Sequence, residues 1–236
     1  MCSSDLHPIN PTKGFYAQAS LSYINAVSEG NYLKYEFTGK AFFSIRNWVT
    51  FGLTARLGGS HSFSASGDLP IEERYTLGGN RGLRGFSTDG VGQYNPDGSL
   101  KLGQFQEPMY NENGEPVLDD LGNQAMKTTW YRPFGGDVVI SGSFEVRFPI
   151  IRKVDLFGAA FYDFGALAET FEELNGASFR HSVGVGLRYM LAGVVPIRLD
   201  YGIILDRRCK TIDPSTGQCA SKEEFGNIHF GILYTF

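Results

Sequence analysis

Apolar and polar side chains alternate with a period of two along most of this chain, the pattern of strands whose two faces meet different media. In Phe15–Val27 the positions Phe15, Ala17, Ala19, Leu21, Tyr23 and Val27 oppose Gln18, Ser20 and Ser22. In Leu33–Ile45 the set Leu33, Tyr35, Phe37, Ala41, Phe43 and Ile45 opposes Lys34, Glu36, Thr38 and Lys40. Val49–Leu57 continues with Thr50, Thr54 and Arg56 on its polar side. After a long interruption, Val138–Phe148 sets Val138, Ile140, Phe144, Val146 and Phe148 against Ser141, Ser143, Glu145 and Arg147. Leu156–Phe164 is apolar on both faces as far as Asp163. His181–Leu191, Val195–Ile203 and Ile228–Phe236 alternate again, with Arg188, Arg198, Asp200 and His229 among their polar members. The expectation is an all-β chain of eight antiparallel strands.

Alternation alone leaves two architectures open. In a soluble sandwich the charged face meets water and the apolar face packs inward. In a transmembrane barrel the apolar face meets lipid and the charges line a wet lumen. The connections favour the barrel. Turns are short at SEGN, at Arg46-Asn47, near Ile151–Val154 and near Ala192–Val194, whereas Gly58–Asp137, Ala166–Arg180 and Asp206–Gly226 are long. Long loops at one end and tight turns at the other are usual in bacterial barrels. The stretch from Gly58 to Asp137, about eighty residues rich in Asn, Asp, Gly and Pro, is too long for filler in a compact domain and reads as functional.

Composition changes this picture little. The 236 residues carry a net charge of −4, so no overall basic field points to nucleic acid. No run approaches the ~18 apolar residues of a membrane helix, a test that barrel strands do not need to pass. Cys209 and Cys219 bracket the polar turn CKTIDPSTGQC, which is either a small disulfide in an oxidising compartment or two free thiols in a loop. The four histidines lie in unrelated segments without metal-ligand spacing, and no nucleophile elbow appears, so neither a metal, a cofactor nor catalysis is expected. DPSTG, NPDG and NENG read as turns, with calcium the weaker alternative. The opening MCSSDLHPINPTKG lacks the basic and apolar regions of an export signal. Residues 1–13 are therefore expected to be a non-native or disordered start, and 14–236 the C-terminal part of a longer outer-membrane chain.

The segment Gly78–Phe86, GGNRGLRGF, holds four glycines, two arginines and an aromatic. Gly78, Gly79, Gly82 and Gly85 supply positive φ and close backbone approach. The spacing is not that of a phosphate-binding loop, which leaves an external Gly-rich turn or a loop folded back through a crowded interior. In context, Glu73–Gly79 (ERYTLGG) followed by Leu83-Arg84-Gly85-Phe86 resembles the hallmark loop of the BamA/TamA-type outer-membrane assembly factors, also called bacterial surface antigens. SGSFEVRFPI, AFYDFGAL, FRHSVGVGLRYML and VPIRLDYGIIL resemble the strands that follow it in that family, in order, and the likeness runs from about residue 14 to the end.

The resemblance implies the C-terminal half of a sixteen-stranded, lumen-plugged barrel in the bacterial outer membrane. It implies a non-enzymatic insertase, with unfolded outer-membrane proteins as clients and accessory lipoproteins as partners. The alternatives are a translocation pore of the same superfamily and a small structural barrel of eight strands, whose own side chains would leave no room for the loop. Arg84 is implied to pair with carboxylates on the next two strands, here Glu145 and Asp163. Parity places Glu145 on the polar face. Asp163 shares its parity with Phe157, Ala159 and Phe161, so it faces in only if they do or if a bulge resets the pleat. The end of the chain, with His229, Gly231, Tyr234 and Phe236, resembles the signal by which bacterial barrels are handed to their assembly machinery; read from its residues alone it is a last strand with interfacial aromatics.

Overall fold

The structure, a computed structural model, describes residues 12–26, 30–45, 48–63, 69–80, 82–96, 98–111, 114–119, 122–174, 178–191, 195–213 and 215–232. Residues 1–11 of the expected start, the turns at 27–29, 46–47 and 192–194, and Tyr234 and Phe236 lie outside the described residues.

One antiparallel sheet dominates. Its strands are β1 (Gly14–Ala26), β2 (Gly30–Ile45), β3 (Val49–Ser62), β6 (Val138–Ile151), β7 (Leu156–Ala168), β8 (Arg180–Leu191), β9 (Val195–Ile204) and β12 (Gly226–Ile232), in that order across the sheet. Two hairpins stand apart from it, β4 (Leu102–Pro108) with β5 (Met126–Pro133), and β10 (Cys209–Ile212) with β11 (Cys219–Lys222). The seven longer strands of the sheet run from 10 to 16 residues, enough to cross a bilayer, which needs ~9–11 when tilted. No described helix is long and apolar enough to cross a membrane. Among the described residues β1 and β12 each have one neighbour, so the sheet is open at both edges.

Burial decides between sandwich and barrel. The solvent-exposed face carries Leu21 (72% exposed), Val185 (61%) and Ile228 (70%), with Phe37, Phe43, Leu53, Phe144 and Phe230. The covered face carries Arg147, Glu145, Asp163, Arg188, Arg198 and Asp200, all buried. Apolar side chains outside and charges inside is the polarity of a membrane barrel wall.

The register makes the inner face a grid. One row across the strands reads Thr54, Ser143, Asp163, Ser182; the next reads Gly52, Glu145, Phe161, Gly184, Gly202, Asn227; a third reads Thr50, Arg147, Ala159, Gly186, Asp200, His229. Glutamate and aspartates therefore sit diagonally near one another, beside a strip of wall bare of side chains at Gly184 and Gly202.

The inserted segment departs from expectation in two ways. It starts after Ser62 rather than at Gly58, because Gly58 and Gly59 are ladder residues opposite Val139 and Val138. Glycine there makes room for rings: a Cβ on Gly58 would lie 2.9 Å from Tyr75, and one on Gly59 would lie 2.4 Å from the Tyr35 hydroxyl. Tyr75 in turn donates to the Tyr35 carbonyl at 3.0 Å, and Lys34 and Arg56 lie over its ring. Second, the segment contains the β4–β5 hairpin, lengthened by bridges between Tyr110 and Pro116 and between Leu118 and Gln124. Cys209 and Cys219 are joined as a disulfide across β10 and β11, with Cα atoms 5.7 Å apart.

Candidate functional site

From Tyr75 the inserted segment turns back along the inner face. Bridges Tyr75–Gly136 and Leu77–Val91 frame the turn, and the Gly79 N–H donates to the Leu83 carbonyl at 3.1 Å. The turn carries its own apolar cluster, in which Leu77, Leu83, Phe86 and Val91 pack on Val139, Leu167 and Ile204 of the wall. Leu83 and Phe86 thus bracket Arg84 with two buried anchors. Gly85 takes φ +101°, and its backbone lies against Gly202: a Cβ on Gly202 would come within 2.5 Å of the Gly85 nitrogen. Gly82 does not share the positive φ of Gly78, Gly79 and Gly85; a Cβ there would crowd Leu77 and Gly78 at 3.1 Å.

Arg84 is 4% exposed and spends its donors on the wall. Its Nε donates to Asp163 Oδ2 at 2.8 Å and its Nη2 to Asp163 Oδ1 at 2.7 Å, a bidentate fork. Nη1 donates to Glu145 Oε2 at 2.5 Å, Nη2 also to the Ser143 hydroxyl at 2.9 Å, and the backbone N–H of Arg84 to Asp163 Oδ2 at 3.0 Å. The guanidinium lies 3.5 Å from the centroid of the Phe161 ring. Asp163, Phe161 and Ala159 all face inward, with Tyr162 outside, and the β6–β7 register runs unbroken past them, so no bulge is involved.

The cluster is larger than the motif. Arg147 Nε donates to Glu145 Oε1 at 2.7 Å, and Arg188 reaches both Glu145 Oε2 at 2.9 Å and Asp200 Oδ1 at 2.5 Å. Arg198 Nε lies 3.1 Å from Asp200 Oδ2, and its Nη2 donates to the Asn80 carbonyl of the loop at 2.6 Å. Four guanidiniums thus share three carboxylates: Glu145 and Asp200 each touch more than one of them, while Asp163 is held by Arg84 and the Ser143 hydroxyl. Such a network contributes little net stability, because desolvating the charges offsets their attraction; its effect is that a displaced member leaves charges buried and unpaired. Arg188, Arg198 and Asp200 stood on the polar side of their strands in the sequence, but nothing in their spacing tied them to Arg84. Beside the loop, on the β2–β3 side, a cavity of about 530 Å³ is lined by Thr38, Lys40, Arg56 and Arg147.

The residues of the last strand also meet the loop. The Gly85 N–H donates to His229 Nε2 at 3.1 Å, and Asn227 Nδ2 donates to the Gly85 carbonyl at 3.0 Å. Gly231 lies beneath Asn80, whose Nδ2 would be 3.1 Å from a Cβ there.

A second guanidinium, which carried no signal in the sequence, fastens the segment at the end with the long connections. Arg180, fully buried, donates from Nε to Asp206 Oδ2 at 2.7 Å, from Nη2 to Glu223 Oε2 at 2.5 Å, and from Nη1 to the Tyr94 hydroxyl at 2.8 Å. Tyr94 donates to Glu223 Oε1 at 2.6 Å, the Arg208 N–H reaches Glu223 Oε2 at 2.9 Å, and Arg207 donates to the Glu223 carbonyl. Arg180 also lies over the ring of Phe86, two residues from Arg84. Burial opposes the charged form of Glu223, but the hydrogen bonds from Arg180, the Arg208 N–H and Tyr94 outweigh it and hold its pKa below the ordinary value. A depressed carboxylate pKa contributes stability that is full above the unfolded value and is lost as pH falls through the folded one. The closure is therefore expected to resist cleavage unchanged from neutral pH, probed there with thermolysin, down to about pH 4.3, the ordinary glutamate value, and to loosen only below it, probed there with pepsin. Glu223→Gln is expected to expose the same cleavage sites at every pH; equal protection of variant and parent would count against the assignment.

A family model described as the Omp85 superfamily domain matches residues 6–236. A SAM50-like protein of Schizosaccharomyces pombe is 33% identical over 102 residues, 41% of this chain and 21% of that protein. Among solved structures, BamA from Haemophilus ducreyi lacking POTRA domains 1–3 is similar in fold, with a TM-score of 0.58 at 18% identity, over 93% of this chain and 38% of that one. The chain thus spans about a fifth of the first protein's length and well under half of the second's.

Proposed function

The chain belongs to the Omp85 superfamily, whose members are outer-membrane β-barrels, and from that premise we propose that it is the C-terminal wall of a barrel that inserts other barrel proteins into the bacterial outer membrane. The carrying observation is that an internal loop is locked to the inner wall by Arg84 and also meets β12, a strand that among the described residues lies at the edge of the sheet. A row of free backbone donors and acceptors is a template for another strand. An unfolded client would add its strand to β12, gaining main-chain hydrogen bonds while its apolar face enters lipid directly. The proposed role is non-enzymatic: the clients are unfolded outer-membrane proteins, the medium is the bilayer, and accessory lipoproteins are further proposed partners. The Cys209–Cys219 bridge, exposed at the end with the long connections, fits an oxidising compartment.

The full-length protein that carries this chain, reconstituted in liposomes, is expected to speed the appearance of heat-modifiable, folded client from urea-unfolded barrel protein. A cysteine replacing Ile228 in β12 is expected to cross-link to the client's own terminal strand during assembly. Transport of a soluble polypeptide into the liposomes, without folded client and without the cross-link, would replace this reading with that of a translocation pore.

A further inference from the structure

Arg84 and Gly85 are adjacent in sequence but fastened to opposite sides of the wall. Arg84 is held by Ser143 and Glu145 of β6 and Asp163 of β7. Gly85 is held by β12, where His229 Nε2 accepts its N–H and Asn227 Nδ2 donates to its carbonyl. Between these two attachments the loop lies over β9 at Gly202, where a Cβ would meet the backbone of Arg84 and Gly85. Asn227 and His229 occupy successive inward positions of β12, opposite Gly202 and Asp200. Both bonds go to backbone atoms of Gly85, at a φ only glycine adopts readily, so the attachment depends on the strand's side chains and not on the loop's. Among the described residues β12 has β9 as its one neighbour in the sheet, and the loop is a further attachment.

We propose that His229 and Asn227 are positioning residues that couple the terminal strand to the internal loop, so that β12 does not tilt away from the wall without drawing Gly85 with it. The consequence for clients rests on the insertase reading above; the coupling itself does not. With Nε2 accepting, His229 carries its proton on Nδ1, and a glutamine at 229 would offer a carbonyl oxygen in a similar place.

The test uses the full-length protein and hydrogen exchange read by mass spectrometry. In Asn227→Ala/His229→Ala, exchange of peptides covering 82–87 is expected to accelerate roughly three- to ten-fold, the effect of losing an ordinary hydrogen bond, while peptides from β6 and β7 stay unchanged. His229→Gln is expected to stay within about twofold of the parent, because the acceptor is restored. Unchanged exchange of 82–87 in the double variant, or a glutamine variant no better than His229→Ala, overturns the coupling. If the double variant does not fold, the glutamine and alanine single variants decide the matter alone. Should the unaltered protein fail to insert clients, the insertase reading falls while the exchange result stands on its own.

Discussion

Replacing Arg84 with alanine is expected to unseat the internal loop while leaving the barrel wall folded. The arginine supplies both arms of the fork on Asp163, one contact to Glu145 and one to Ser143, and Asp163 is 0% exposed. Without it, two carboxylates remain buried among fewer cations, and breaking a buried pair in this way costs about 3–5 kcal/mol. Arg84→Lys is expected to recover little, since an ammonium presents no planar fork and would not lie flat on Phe161. Removing the acid as well should be gentler. Arg84→Met combined with Asp163→Leu is expected to protect the loop better than Arg84→Ala, because no uncompensated charge is left behind. The readout is limited proteolysis of residues 69–137 in the full-length protein, with heat-modifiable gel mobility reporting the wall separately. An Arg84→Ala loop as resistant as the parent's would refute the assignment of this cation as the lock.

Gly202→Val is expected to have a comparable effect without touching any charge. A Cβ at this position would lie 2.5 Å from the Gly85 nitrogen and 2.6 Å from the Arg84 carbonyl carbon, and both are backbone atoms that cannot swing aside. Either the loop lifts by an ångström or more, lengthening the fork on Asp163, or β9 is displaced from β12. Cross-linking of cysteines placed at Asn80 and Gly231 separates the two, since it reports the distance between loop and strand directly. Lost cross-linking reports a lifted loop, retained cross-linking with a wall that unfolds at lower temperature on the gel reports a displaced β9, and retained cross-linking with a parental wall would mean that the loop does not rest here.

Much of this was legible in the sequence, for a physical reason. A strand between lipid and water must alternate, so the parity of Glu145 and Arg147 in β6 gave their face directly. The resemblance around Leu83–Phe86 pointed to Arg84. Asp163 was ambiguous because Phe161 shares its parity, and an aromatic on a wet face looks misplaced until the guanidinium that covers it is in position. The extension of β3 to Ser62 was hidden because Gly58 and Gly59 read as breakers, when they are there to clear the rings of Tyr75 and Tyr35. The β4–β5 hairpin was missed where Gly103 and Pro133 weaken the alternation. Arg180, Glu223 and Tyr94 gave no local signal. They lie 43 and 86 residues from one another along the chain, and only the folded connections bring them into one cluster.

The inverted polarity of the sheet has one more consequence. Its outer side is too greasy for water, and its inner side, studded with guanidinium and carboxylate groups, is too costly for hydrocarbon. No single solvent suits such a panel. It is at ease only where closure of a barrel keeps acyl chains away from its ionic side, and so the thermodynamics of this wall cannot be separated from those of that closure.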